Sequence, residues 1–238
     1  MECLCNGITL EKKIKGLVIK NFDSGDRDKL ITIFTPEGLL TAKLKGVNSP
    51  TAKLKFAKQC FCFADFVLNG DKILTVTSAN LIDSFYNLTT DYDVFDEAGK
   101  ILRLARPLMK ENQSNPYLFV QLIQSFKTLA YSKVQTNVTQ VKFLLNLFYN
   151  QGYTFESEKC SNCNCVLAQE RYLNLSTGEV LCSYCKTNYC QKISYGTNKV
   201  LKIIGETEYD RLSSLKFSKE ILLNALSLLL NNYTNVII

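Results

Sequence analysis

The chain has 238 residues, 46% hydrophobic and 21% charged, with 28 Lys+Arg against 22 Asp+Glu for a formal net charge of +6. This composition supports one or two domains with a real core and excludes disordered, collagen-like and low-complexity classes, while the mild basicity permits a polyanionic partner without establishing one. Histidine is absent, which removes Ser–His and Cys–His catalysis, His-ligated metals and the usual neutral-pH general base.

The opening residues, Met1 to Gly7, carry no basic run followed by an apolar one, so no signal peptide is read there. The most apolar stretch, Ile221 to Leu230, is interrupted by Asn224 and ends at Asn231-Asn232. A bilayer takes about 20 apolar residues, so no membrane span is expected. The expected compartment is the cytoplasm, where thiols stay reduced and clustered cysteines point to metal or catalysis before disulfides.

Residues 14 to about 80 read as short strands. Ile14 to Ile19 form the first apolar run, and Asp23-Ser24-Gly25-Asp26 is a turn signal. Leu30 to Thr35 is rich in β-branched and aromatic residues and stops at Pro36-Glu37-Gly38. Leu39 to Leu44 follows, then a turn at Gly46 to Pro50, then strands at Cys60 to Leu68 and Ile73 to Ser78. Asn69-Gly70-Asp71 joins the last two, and Asn-Gly favours hairpins. Five short strands predict a small barrel over residues 1–80.

From about residue 81 the period becomes helical. Asn115-Pro116 is a cap followed by proline at the first helical position, with Leu118, Leu122, Ser125, Phe126 and Leu129 on one face. Val141, Leu144, Leu145 and Phe148 repeat at helical spacing, and Gly152 stands where a C-cap belongs. Ser218 caps a last helix that turns Ile221, Leu222, Ala225, Leu228 and Leu229 inward. Asp91, Asp93, Asp96 and Glu97 fall beside a predicted helix start, where acids complement the dipole. The fold class is therefore α+β: an OB-fold-like barrel followed by a helical domain over residues 81–238.

Ten cysteines are unevenly placed. Cys160, Cys163, Cys182 and Cys185 form CxxC-x18-CxxC, within an insert at about 156–191. Each CxxC turn presents two thiolates to one side of an ion, and four soft charged ligands suit one closed, structural, tetrahedral Zn²⁺. An Fe–S cluster or a dithiol redox pair are the alternatives. Asn164 and Gly178 supply turns beside the two pairs, and Lys159 and Lys186 flank them to offset thiolate charge. Cys165 and Cys190 lie close enough to replace a ligand, although a buried or half-buried thiol is the simpler role. Cys60 and Cys62 read as core residues of a strand, and Cys3 and Cys5 as core by default.

Between Gly38 and Ala64 there is no acidic residue, yet there are five lysines, Lys43, Lys45, Lys53, Lys55 and Lys58, with Phe56, Phe61 and Phe63 nearby. Lysines and aromatics on a small barrel suit a groove that tracks a nucleic-acid backbone. The expected phosphate contacts are Lys43, Lys45, Lys53 and Lys55, extended by Arg27 and Lys29; a merely solvated strand face is the plainer alternative. No P-loop and no G-x-G-x-x-G is present, and no active site can be assembled.

Together these features resemble the bacterial RecO family of DNA repair proteins, over about Ile14 to Leu230. Gly25-Asp26-Arg27-Asp28-Lys29-Leu30-Ile31-Thr32-Ile33-Phe34-Thr35-Pro36-Glu37-Gly38 is similar to the family's G-E-x-D-R…F-T-x-x-G pattern, with Asp26 for Glu and Lys29 for Arg. Lys45-Gly46 matches its K-G turn, although Val47-Asn48-Ser49-Pro50 stand where basic residues often follow. Phe143-Leu144-Leu145…Gly152 is similar to the helix before the zinc module, and Cys160, Cys163, Cys182 and Cys185 match its ligands.

The resemblance implies a non-enzyme that binds single- and double-stranded DNA and anneals strands. It further implies action with RecR to help RecA replace single-strand-binding protein on gapped DNA. The acidic, apolar-ended tail of single-strand-binding protein needs an apolar pocket rimmed by positive charge. Arg103, Arg106 and Lys110, alternating with Leu102, Leu104 and Leu108, are expected to offer one on the helical body rather than the barrel. The rival classes are a zinc-containing protein-interaction module and a fragment of an OB-plus-zinc nucleic-acid enzyme such as a DNA ligase. The ligase K-x-D-G motif is absent.

Overall fold

A computed structural model describes residues 11–70, 73–155 and 158–238. Cys3, Cys5 and Asp71 of the predicted hairpin turn lie outside the described residues, as do Glu156 and Ser157 at the start of the predicted insert. The chain divides into two compact units. One holds the chain up to Tyr86 with Ala105–Val120, the other Asn87–Leu104 with Gln121–Ile238.

The first unit is built on five strands: β1 (Lys12–Asp23), β2 (Lys29–Thr35), β3 (Gly38–Leu44), β4 (Phe63–Asn69) and β5 (Leu74–Asp83). They close a barrel in the order β1-β2-β3-β5-β4, antiparallel except where β3 meets β5, and β4 pairs back onto β1. This is the OB-like barrel that the strand pattern predicts. Alternation turns Ile14, Val18, Ile31, Ile33, Ala42, Leu44, Ala64, Phe66 and Leu68 into one core. The return segment, residues 105–120, is stitched to the β2–β3 turn: Asn115 N and Ser114 Oγ donate to Pro36 O (2.9 and 3.0 Å), and Leu39 N donates to Lys110 O (3.0 Å). Gly38 sits at φ +124°, and a Cβ there would meet Lys110 O at 2.7 Å, so only glycine allows this approach. Phe119 packs on Phe34 and Phe63 with ring centroids 5.7 and 6.0 Å apart.

Two strand expectations change. The predicted strand from Cys60 starts only at Phe63, because Phe61 takes a left-handed φ of 68° that breaks the extended run. Cys60 is consequently exposed rather than core, while Cys62 is buried as expected. β5 runs five residues past Ser78, through Asp83, because Ala79–Leu81 stay paired with Ala64–Phe66.

The second unit is helical. It holds α1 (Tyr92–Ala105) up to Leu104, α2 (Pro116–Tyr131) from Gln121, α3 (Val138–Asn150), α4 (Tyr195–Glu206) and α5 (Lys219–Ile237), with a three-stranded sheet ordered β7-β6-β8. Its strands are β6 (Glu170–Asn174), β7 (Val180–Leu181) and β8 (Cys190–Ser194). The predicted caps are present. Asn115 Oδ1 accepts from Leu118 N (3.1 Å), Ser218 Oγ from Ile221 N (3.4 Å), and Gly152 follows α3 at φ +85°. Residues Val138–Leu145, Leu147 and Phe148 of α3 are buried, and the helix packs on α4 and α5. Asp91 Oδ1 caps α1 through Asp93 N (2.9 Å) and Val94 N (3.2 Å). Glu97, read from sequence as an acid that complements the dipole at its own helix start, is buried and accepts from Asn137 N (3.0 Å) and Gln140 N (3.4 Å) at the start of α3. Among the described residues no helix is long and apolar enough to cross a membrane.

Candidate metal centre and nucleic-acid surface

The sulfurs of Cys160, Cys163, Cys182 and Cys185 all lie within 4.8 Å of one another. Each pair is formed by a tight turn. Asn164 N donates to Cys160 O (2.8 Å) with Asn164 in the left-handed region at φ 60°, and Cys185 N and Lys186 N donate to Cys182 O (3.2 and 3.1 Å). The turns are brought together by Ser161 N on Val180 O (3.0 Å) and by Cys182 N on the Cys160 sulfur (3.4 Å). Gly178, at φ +74°, closes the β6–β7 turn where a Cβ would run into the Tyr153 ring at 2.5 Å.

The electrostatics of the four sulfurs fit a cation among them. Burial opposes ionisation of Cys160, yet the N–H groups of Cys163, Cys182 and Asn162 outweigh it and bring the thiol down to about 6. Cys182 is also lowered, against burial, by the N–H groups of Cys185 and Tyr184. At Cys185 the Asn162 side chain favours the thiolate, but Cys163 and Cys182 prevail and push it up to about 12. The protein alone thus ionises part of the set, and a central positive charge removes the repulsion that resists the rest. A tetrahedral ion with bonds of about 2.3 Å needs sulfurs about 3.8 Å apart. Cys163 and Cys182 are separated by 3.8 Å. The donor set could therefore hold a metal, and its chemistry suits Zn²⁺.

The spare cysteines differ. The Cys190 sulfur accepts from Thr187 N (3.3 Å) at the start of β8, outside the set of four. Cys165 O accepts from Cys160 N (2.8 Å), and its thiol is pushed up to about 12, first by its hydrogen bond with Cys163. Lys186, expected to offset thiolate charge, places its Nζ 4.5 Å over the Tyr172 ring.

On the barrel the six basic candidates separate by environment. Arg27, Lys45, Lys53 and Lys55 are exposed and make no ion pair among the described residues. Lys43 Nζ is 2.8 Å from Asp28 Oδ2, and Lys29 Nζ is 2.9 Å from Asp23 and 3.3 Å from Asn21 Oδ1. Lys43 lies in β3 whereas Lys45 lies beyond its end, so the two do not alternate along one strand. Lys12, Lys13, Lys15 and Lys20 add four exposed lysines on β1 that an acid-free stretch does not reveal, because Glu11 and Asp23 bracket that strand.

Arg103, Arg106 and Lys110 are exposed but do not share one helix. α1 ends at Ala105, and Pro107 turns Arg106–Leu108 into a short 3₁₀ segment. Arg103 belongs to the helical unit, 4.0 Å from Asp96, while Arg106 and Lys110 belong to the barrel's unit. Arg106 Nη2 donates to Ile19 O at 3.5 Å.

Two family models match: Recombination protein O N terminal over residues 10–85 and Recombination protein O C terminal over residues 97–237. The chain belongs to the RecO family. A DNA repair protein RecO of Clostridium novyi is 30% identical over 211 residues, covering 88% of this chain and 82% of the relative. One of Acetivibrio thermocellus is 30% identical over 216 residues (88% and 85%), and one of Dehalococcoides mccartyi 29% over 214 (88% and 84%). The RecO-like pattern around Gly25–Gly38 has a structural role in this chain. Asp28 accepts from Gly46 N at 2.8 Å while pairing with Lys43, so it ties the β1–β2 turn to the K-G turn. The Lys43 hydrogen bond, then the Gly46 N–H, hold the Asp28 carboxyl below its usual range.

Proposed function

We propose that this RecO-family chain is a recombination mediator that acts by binding rather than by catalysis. In this reading the barrel engages single- and double-stranded DNA through phosphate contacts from Arg27, Lys29, Lys43, Lys45, Lys53 and Lys55. The chain anneals complementary strands and, with RecR, helps RecA displace single-strand-binding protein from gapped DNA in the bacterial cytoplasm. One structural Zn²⁺, held by Cys160, Cys163, Cys182 and Cys185, orders the β6–β8 module. The acidic tail of single-strand-binding protein meets the helical unit, to which Arg103 belongs.

The observation that carries the DNA reading is an OB-ordered barrel on which Arg27, Lys45, Lys53 and Lys55 stand exposed without ion-pair partners among the described residues. Lys29 and Lys43 join by exchanging Asp23 and Asp28 for phosphate. The test is a mobility shift of the full chain on single-stranded and duplex DNA, with and without RecR, over a salt series. Binding that weakens steeply with salt supports the reading. Salt-independent binding, or none, transfers the function to a protein-interaction role.

A further inference from the structure

The first CxxC turn brings a fifth sulfur to the metal centre. Lys159 bridges Val166, Cys160 N donates to Cys165 O (2.8 Å) and Leu167 N donates to Glu158 O (2.9 Å), so residues 158–167 fold back as a hairpin. Asn164, at φ 60°, makes the bend between Cys163 and Cys165. The hairpin returns the Cys165 thiol to the centre, where it hydrogen-bonds with Cys163 and Cys182 from outside the set of four. Cys163 and Cys182 are themselves 3.8 Å apart. Exposure divides the five sulfurs. Cys160 and Cys182 are buried and Cys185 is half-buried, whereas Cys163 and Cys165 are exposed. A small solute therefore reaches one ligand, and the thiol beside it, ahead of the other three. Cys190 holds no such place, because its sulfur accepts from Thr187 N (3.3 Å) at the start of β8.

We propose that Cys163 and Cys165 form an oxidation site for hydroperoxides, closing a reversible disulfide that withdraws one ligand from the metal. The inference rests on the metal reading and adds a chemical modification that this reading does not contain. A metal-ligating thiol is already deprotonated, which is the nucleophilic form. The Cys163 sulfur attacks a peroxide oxygen, the O–O bond breaks, and Cys163 is left as a sulfenic acid with hydroxide released. The Cys165 sulfur then displaces the sulfenic oxygen, which leaves with the Cys165 proton as water while the S–S bond forms. The two cysteines give up two electrons, and one hydrogen peroxide becomes water and hydroxide. A sulfenic acid without a neighbouring thiol goes on to sulfinic acid, which a dithiol does not reduce; Cys165, two residues away, intercepts it. Cys160, Cys182 and Cys185 remain, three ligands where a closed site needs four, so the ion is held less tightly and the β6–β8 module loses its clasp.

The test uses the zinc-loaded full chain, hydrogen peroxide and a chromogenic zinc chelator. Peroxide should transfer about one zinc per chain to the chelator, and peptide mapping should find a Cys163–Cys165 bond. A dithiol reductant followed by added zinc should restore the metal. In Cys165→Ser the same treatment should leave Cys163 as sulfinic acid, with no zinc regained after the reductant. Cys190→Ser should behave as the parent. A zinc-loaded parent that keeps its thiols and its metal under peroxide overturns the proposal. So does a disulfide formed within either CxxC pair, or full recovery of zinc by Cys165→Ser. The peptide map of the parent decides the pairing even where Cys165→Ser folds poorly. A chain that holds no zinc before peroxide removes the metal reading itself and this proposal with it.

Discussion

Glu97 shows how one residue can join two helices of the second unit. It sits in α1, is 4% exposed, and spends its carboxylate on two N–H groups at the start of α3, 40 and 43 residues further on. A carboxylate at a helix N-terminus is favourable, but burial is the larger influence here and raises its pKa above the ordinary 4.5, against those N–H groups and Lys100. Below pH 4.5 the group is protonated in both the folded and the unfolded chain. As pH rises from there through the raised folded value, the unfolded chain ionises first and the native state holds more protons. Stability contributed by this group is therefore full at low pH and is lost on raising the pH. Urea unfolding of the parent and of Glu97→Gln at a series of pH values should show the parent losing ground to the variant above pH 4.5; a constant difference would mean that burial does not govern this carboxyl. Asn115 is a second single-residue test. Its Oδ1 holds Leu118 N at 3.1 Å, and Asn115→Ala should cost about 1 kcal/mol of stability, read as a shifted urea midpoint with an unchanged slope.

Among the elements, the β6–β8 sheet is small, three strands of at most five residues. β7 is two residues long, and the sheet is closed at one side by the turns that carry the four cysteines. Small metal modules of this kind couple ion binding to folding. Protein prepared without chelator should contain one zinc per chain by elemental analysis. Cys182→Ser should lose the metal and expose the β6 and β8 amides to rapid hydrogen exchange, while the β1–β4 ladder keeps its protection. Metal-free protein with a fully protected β6–β8 sheet would show that the thiols need no ion. The same experiment on Cys165→Ser and Cys190→Ser decides the ligand set, since neither should release zinc.

For the whole molecule, the proposed reading of the exposed basic residues predicts a salt-dependent, sequence-tolerant grip on DNA. Lys45→Glu with Lys53→Glu removes two cations that have no ion-pair partner among the described residues, so binding to all sequences should weaken alike and the log–log salt slope should flatten by about 0.7 per lost phosphate contact on single strands. A Lys43→Glu change should instead lower stability as well as binding, because it sets a carboxylate against Asp28, which also holds Gly46. What could be read from the residues alone is what local chemistry decides. The CxxC pairs form their turns from their own backbone, Asn115, Ser218 and Gly152 cap the helices they neighbour, and alternating apolar residues specify five strands of a barrel. Family membership was legible for the same reason, because its motifs are short and local. Other features depend on which strand faces which and in what register, and a one-residue slip would turn every side chain to the opposite face. Only the tertiary structure pairs Lys43 with Asp28, sends Glu97 to the foot of α3, leaves Cys60 outside the core and aligns Phe22 with Leu30 and Lys43 across three strands. These partners are brought together by closure of the barrel and packing of the helices, a long-range outcome that no window of the sequence contains.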